Sequence, residues 1–267
     1  MVVSYHVTMH TVAIANQKGG VGKTTTAVHL SAALALQGHR VVLIDLDPQA
    51  NATSWLGVDG GRGLYEWFGA GGEAPFVDVV EKTRWDGLAL APSSEWLHGI
   101  DRVIKDEVVP QTMVRKALGQ LQFDAYDFAV LDTAPGLGIL TVNALAAADS
   151  VLTPVAAHVM NLAGLAQLLQ TVEKVKEGLN PGLQPVRVLA CRVDARTNHS
   201  KDVQKELRDR FGGNCLKTYV RENVSVAEAY SHAEPVFDYA PRSTGAEDYY
   251  QVAEEVAATF VKKARKR

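Results

Sequence analysis

The segment Lys18-Gly19-Gly20-Val21-Gly22-Lys23-Thr24-Thr25 is the part of this chain best suited to chemistry. Its glycines let the backbone curl so that several N–H groups point at one anion. A lysine directly after the last glycine can reach the outer phosphates of a nucleotide, and the threonine hydroxyl beside it can ligate magnesium. The apolar run Val12 to Ala15 leads into this loop, and Ala27, Leu30, Leu34 and Ala35 recur after it at helical spacing. A helix opening there adds partial positive charge at its N-terminus. Strand, loop and helix together read as a site for ATP with magnesium. Kinase-like and dinucleotide-type glycine loops fit worse, since neither explains Lys23-Thr24 directly after the last glycine.

Three carboxylates accompany the loop. Asp45 and Asp47 flank Leu46 at the end of the apolar run that starts at Val41, so they share a side if the strand persists. Asp132 follows the run Phe128 to Leu131. Asp45 reads as a hydrogen-bonded structural carboxylate. Asp47 and Asp132 read as functional, because they and the glycine loop all fall at carboxyl ends of strands. Ligands of open parallel sheets bind there.

The elements that must position these groups alternate in type. Further strands are expected at Leu88 to Ala91, Ser150 to Val155, Val186 to Val193 and, as a last short strand, Leu216 to Val220. Helices are expected around Met113 to Leu121, from Leu162 to Gly178, from Ser200 to Phe211 and from Gly245 to Lys263. Strands alternating with helices imply a parallel sheet covered on both faces, and right-handed crossovers make it doubly wound. The expected fold is thus α/β, with residues 11–267 forming a single domain behind a disordered extension at 1–10.

Bulk properties agree. A chain of 267 residues with 47% hydrophobic residues is large enough for a sizeable core, and its net charge of -3 argues against a surface coated in positive charge. Five cations lie between Lys262 and Arg267, a tail suited to a solvated helix end or to a nucleic-acid or anionic-lipid contact. Cys191 and Cys215 have no metal-ligand spacing and read as reduced thiols in the cytoplasm. No apolar stretch approaches eighteen residues, so no transmembrane segment is expected.

The whole of Lys18 to Thr25 resembles the deviant phosphate loop of the ParA/MinD family of ATPases. Ile44-Asp-Leu-Asp-Pro-Gln-Ala-Asn-Ala-Thr-Ser, Leu140-Thr-Val-Asn-Ala-Leu, Asp194-Ala-Arg-Thr-Asn and Gly245-Ala-Glu-Asp-Tyr look like stretches of its Soj-like ParA branch. The resemblance implies a phosphate-loop NTPase fold and an ATPase that forms an ATP-sandwich homodimer. Lys18 would reach the partner subunit's ATP, as an arginine finger does elsewhere. Asp47 would place the attacking water, and Asp132 would hold magnesium through water. Asn223 resembles the adenine-binding asparagine, and Arg221 stands where a proline's backbone usually contacts the nucleotide. The implied partners are non-specific DNA and a ParB-type centromere-binding protein, and the implied location is cytoplasmic, on the nucleoid.

One stretch departs from that pattern. Two arginines usual in the family are here Glu222 and Ser225, which weakens the usual DNA-contact face. Arg192, Arg196, Lys217, Arg221, Lys262 and Lys263 are candidate replacements. A MinD-like action on a membrane surface, or positioning of a protein cluster, stays open as the alternative. A metabolic or electron-transfer ATPase of the same superfamily fits less well, because neither cysteine falls in an expected switch region.

Overall fold

The computed structural model describes residues 9–61, 63–121, 125–157 and 162–264. Its strands are β1 (His10–Ile14), β2 (Val41–Leu46), β3 (Glu81–Lys82), β4 (Leu88–Ala91), β5 (Phe128–Thr133), β6 (Ser150–Ala156) and β7 (Arg187–Cys191). They form one sheet in the order β3-β4-β2-β5-β1-β6-β7, parallel except for the short edge strand β3. The chain runs from β1 out to β2, β4 and β3 on one side, returns to insert β5 between β2 and β1, and then adds β6 and β7 on the other side, so β1 delivers the glycine loop within the sheet's carboxyl edge, beside the central β5. The first strand opens at His10, one residue before the expected boundary. The rest of the expected extension, apart from Met9, lies outside the described residues.

The helices are α1 (Lys23–Leu36), α2 (Asn51–Trp55), α3 (Gly63–Gly69), α4 (Ile100–Val103), α5 (Met113–Gln120), α6 (Ile139–Ala147), α7 (Leu162–Gly178), α8 (Asn198–Phe211), α9 (Val224–Ser231), α10 (Val236–Tyr239) and α11 (Thr244–Ala264). Alternate residues of the strands feed two cores. Ala13, Val42, Ile44, Ala129 and Leu131 pack with residues of α3, α5, α6 and α7. Val12, Ile14, Val41, Leu43 and Val130 pack with α1, α9 and α11. Both faces are buried, which is why the strands read as unbroken apolar runs. Each such Leu, Ile or Val contributes about 1.5–3 kcal/mol by leaving water.

Leu216 to Val220 is not a strand. The Leu216 and Val220 N–H groups do donate to Val188 and Ala190, but those of Lys217 and Thr218 donate to the Glu255 carboxylate at 2.9 Å each. Helix α11 thus captures the Thr218 donor, the one between Leu216 and Val220 that a continuous ladder needs, and only isolated bridges remain. Strand β7 is likewise shorter than the Val186 to Val193 expected. On α11, Val252 and Val256 belong to the core rather than to a free apolar face. The side chains of Phe260 and Val261 lie outside the described residues.

Helix α1 is buried nearly all round, by the sheet on one side and α11 on the other. His29 sits in that interior, stacked on Tyr249 at 4.8 Å and edge-on to Trp55 at 5.1 Å. Its Nδ1–H donates to the Thr25 carbonyl (2.7 Å), and its Nε2 accepts the Val236 N–H (3.1 Å). The ring is therefore neutral, and burial pushes its pKa down to about 4. A depressed histidine stabilises the fold fully above its unfolded value of 6.5 and loses that contribution as pH falls through the folded value. The shift amounts to about 3 kcal/mol. Urea unfolding of the parent and of His29→Gln, from pH 7.5 down to 4, should show the parent losing about that much relative to the variant. A pH-independent gap refutes the assignment.

Candidate nucleotide site

The glycine loop is built from backbone conformations open to glycine. Gly20 and Gly22 have φ of 71° and 93°, and Gly22 caps α1. A side chain at either would meet no neighbour, so backbone conformation and not space is the constraint. Asn16 fixes the entrance. Its Oδ1 accepts the Lys18 N–H at 3.1 Å, and its Nδ2 donates to the Pro154 carbonyl at 2.9 Å. Lys18 is half-buried, and its ammonium has no carboxylate partner among the described residues. Lys23 is buried, with Nζ donating to the Lys18 carbonyl at 3.0 Å. Burial lowers its pKa, while the charges of Asp132 and Asp47 pull it back up.

Register places the carboxylates. Asp45 of β2 and Asp132 of β5 are directly paired, so two buried acids stand side by side. Asp45 is spoken for: it accepts the N–H groups of Asp47 and Thr53 and the Thr53 hydroxyl, at 2.7 to 3.1 Å. Burial nonetheless raises its pKa to about 6. This is the structural carboxylate the sequence suggests.

Asp132 differs. It is fully buried, and neither oxygen has a hydrogen-bond partner among the described residues. Burial, then the neighbouring Asp45, raises its pKa well above the usual range. The Thr24 hydroxyl alongside, short of good bonding geometry, and the Lys23 charge work against that rise. A buried carboxylate without donors is expensive unless something cationic joins it. A magnesium ion with its water shell meets that need, and the threonine hydroxyl beside the acid completes an oxygen donor set suited to it.

Asp47 begins the next loop. Its Oδ1 accepts the Gln49 N–H, and its carbonyl accepts the Ala50 N–H and the Ser93 hydroxyl. Ser93 also donates its N–H to the Thr53 hydroxyl that serves Asp45. Ala50 takes a left-handed φ of 52° as this loop turns into α2. The segment after Asp132 is tied to the glycine loop as well, by the Thr133 hydroxyl to Ile14 O and the Gly136 N–H to Gln17 O. Asn16, Thr53 and Ser93 are the site residues that sequence reasoning missed. Each has a partner distant in the chain, Pro154 for Asn16 and one another for Thr53 and Ser93, and no local spacing marks them.

Beyond the end of β7, Arg221 forms a bridge with Val193. Its N–H and guanidinium are held by Asp248, with Glu247 at 2.7 Å, so its backbone carbonyl is what remains for a nucleotide. Asn223 donates from Nδ2 to the Thr244 hydroxyl at 2.7 Å, while its Oδ1 is buried without a partner among the described residues. An unpaired amide oxygen suits an exocyclic amine such as that of adenine. The cations expected to meet DNA are mostly committed. Arg192 pairs with Glu222 at 3.1 Å and Arg196 with Asp194 at 2.9 Å, and Arg221 is clamped as described. Lys217 is exposed. The side chains of Lys262 and Lys263 lie outside the described residues.

Comparison with known proteins agrees with this geometry. A family model described as an AAA domain matches residues 9–185. The chain is 42% identical to the sporulation initiation inhibitor protein Soj of Bacillus subtilis, over 92% of this chain and 98% of that one. It is 44% identical to the chromosome-partitioning ATPase Soj of Thermus thermophilus, over 92% and 95%. Among solved structures, a cobyrinic acid a,c-diamide synthase from Mycobacterium smegmatis with bound ADP and magnesium superposes with a TM-score of 0.79. It is 30% identical and covered over 93% of its chain. A phosphate loop headed by a lysine, two acids at neighbouring strand ends, and this extent of identity place the chain in the Soj/ParA family of partition ATPases, which use ATP and magnesium.

Proposed function

We propose that this protein is a partition ATPase whose two subunits close on ATP and in that state bind DNA without sequence preference. A centromere-binding partner of ParB type then stimulates hydrolysis and releases the dimer from the nucleoid into the cytoplasm. The observation that carries the reading is Lys18. It heads the phosphate loop on a backbone pinned by Asn16, with an ammonium that no carboxylate of the described residues neutralises.

The roles divide by position. The glycine-loop N–H groups and the α1 N-terminus hold the phosphates, with Thr25 closing the first turn. Lys23 neutralises the outer phosphates, and Asn223 with the Arg221 carbonyl reads the adenine. Thr24 would hold magnesium directly, with Asp132 and Asp47 reaching it through water. The ion supplies Lewis-acid stabilisation of the charge that spreads during phosphoryl transfer. Asp47 orients the attacking water, and Lys18 of each subunit places its charge against the transferring phosphoryl group of the other. Face-to-face closure makes the assembly a two-fold dimer, so whatever DNA surface one subunit carries is presented twice. For ATP to move the monomer–dimer balance from 1:99 to 99:1, it must favour the dimer by about 5.5 kcal/mol.

Two measurements test the reading. Lys18→Ala and Asp47→Ala should each abolish partner-stimulated ATP hydrolysis, and Lys18→Ala should also abolish ATP-dependent DNA binding. Parental values in both assays sink the proposal. Asp132→Asn should unfold at higher urea than the parent when nucleotide-free, because it removes a buried acid that stands beside Asp45 with no hydrogen-bond partner among the described residues. Its affinity for ATP in the presence of Mg2+ should fall by about tenfold or more. A variant that is destabilised and still binds Mg-ATP normally would make Asp132 structural.

A further inference from the structure

We propose that this chain grips the phosphate backbone of DNA with one stripe of α8, formed by Lys201, Lys205 and Arg208, rather than with the arginines near Arg221. The inference rests on DNA being the cargo surface and assigns the residues that touch it.

Spacing is the first observation. Residues at i, i+4 and i+7 share one face of a helix, and all three side chains are exposed. The stripe spans roughly 10 Å along the helix axis at 1.5 Å per residue, about three steps of a DNA strand at 3.4 Å each. The opposite face, Val203 and Leu207, is buried against β7 residues Val188 and Ala190, so α8 is rigidly mounted.

Charge is the second. None of the three cations forms an ion pair among the described residues. Arg192, Arg196 and Arg221 each do. A guanidinium already bound to a carboxylate must give up that partner before it can take a phosphate. Free lysines release only counterions. The Glu222 that replaces a cation also occupies Arg192, so the loss at that turn is double.

Shape is the third. The same side chains, with Gln204, Asp209 and Tyr219, line an open groove of about 400 Å3. Gln204 and Tyr219 bring an amide and a phenol, both of which commonly donate to phosphate oxygens. Asp209 lies at the same groove, so the stripe keeps a net excess of two positive charges. Apart from the Tyr219 ring, no apolar side chain lines this groove, whereas a membrane-surface helix must present an apolar face to lipid. That contrast favours nucleic acid over an anionic membrane.

The test uses the full chain carrying Lys201→Gln, Lys205→Gln and Arg208→Gln together, with ATP hydrolysis in the absence of DNA as the control for folding. These residues are outside the nucleotide site, so that rate should match the parent. Duplex DNA of random sequence is titrated with ATP at two salt concentrations. The triple variant should bind about tenfold or more weakly, and the slope of log affinity against log salt should fall by about 2.7 for each subunit engaged. Arg192→Gln, the ion-paired comparison, should change affinity by less than about threefold. Unchanged binding by the triple variant, or a larger loss from Arg192→Gln, overturns this inference while leaving the partition reading intact. A parent without ATP-dependent DNA binding overturns both. Parental binding to phosphatidylglycerol vesicles that the triple variant alone loses, with DNA binding unchanged, assigns the stripe to a membrane and overturns the inference.

Discussion

Like charges forced together out of water set the terms for this molecule. Asp45 and Asp132 are paired across adjacent strands, and both are buried. Such a pair cannot be relieved by moving apart, because strand register fixes it. The fold gives one acid a complete set of donors through Thr53 and the Asp47 N–H. It leaves the other with a lysine nearby and no hydrogen bond. The asymmetry is what separates a structural acid from a binding one. It also explains why Thr53 and Ser93 matter: they hold the Asp45 side closed, so that the unmet electrostatic demand is concentrated at Asp132.

The remainder of the edge follows from that concentration. Lys23 is drawn inward against the desolvation that lowers its pKa, since Asp132 and Asp47 both favour its charge. The glycine loop has to bend around the lysine, and Gly20 and Gly22 take conformations that few other residues adopt. Backbone ties then connect the loop to its neighbours, through Asn16 to β6 and through Gln17 to the segment after β5. A ligand that changes one of these loops must therefore alter hydrogen bonds of the other.

The chemistry of this edge was legible because it is local. Lys18 to Thr25 is one contiguous word, and Asp132 announces itself at the end of an apolar run. Strands β1, β2, β4, β5 and β6 were legible for the same reason, since burial on both faces leaves an unbroken apolar pattern. What escaped was non-local. Asn16, Thr53 and Ser93 act through partners that the chain brings near only on folding. The strand expected at Leu216 to Val220 has suitable residues but loses the Thr218 donor to Glu255, a competitor on another helix. Strand β3 and helices α4, α6, α9 and α10 went unforeseen, the strand having two residues and no apolar alternation to reveal it.

The burial of α1 beneath α11 bears on how the protein is made. His29 needs Tyr249 over its ring and the Val236 N–H at its edge, and Thr26 lies against the Tyr249 hydroxyl. The helix that carries the phosphate loop leaves the ribosome well before the helix that covers it. A nascent chain can lay down much of the sheet early, yet the packing beneath the nucleotide site is finished only once α11 has emerged. A copy that stops short of α11 thus carries its phosphate loop on a helix with one flank bare.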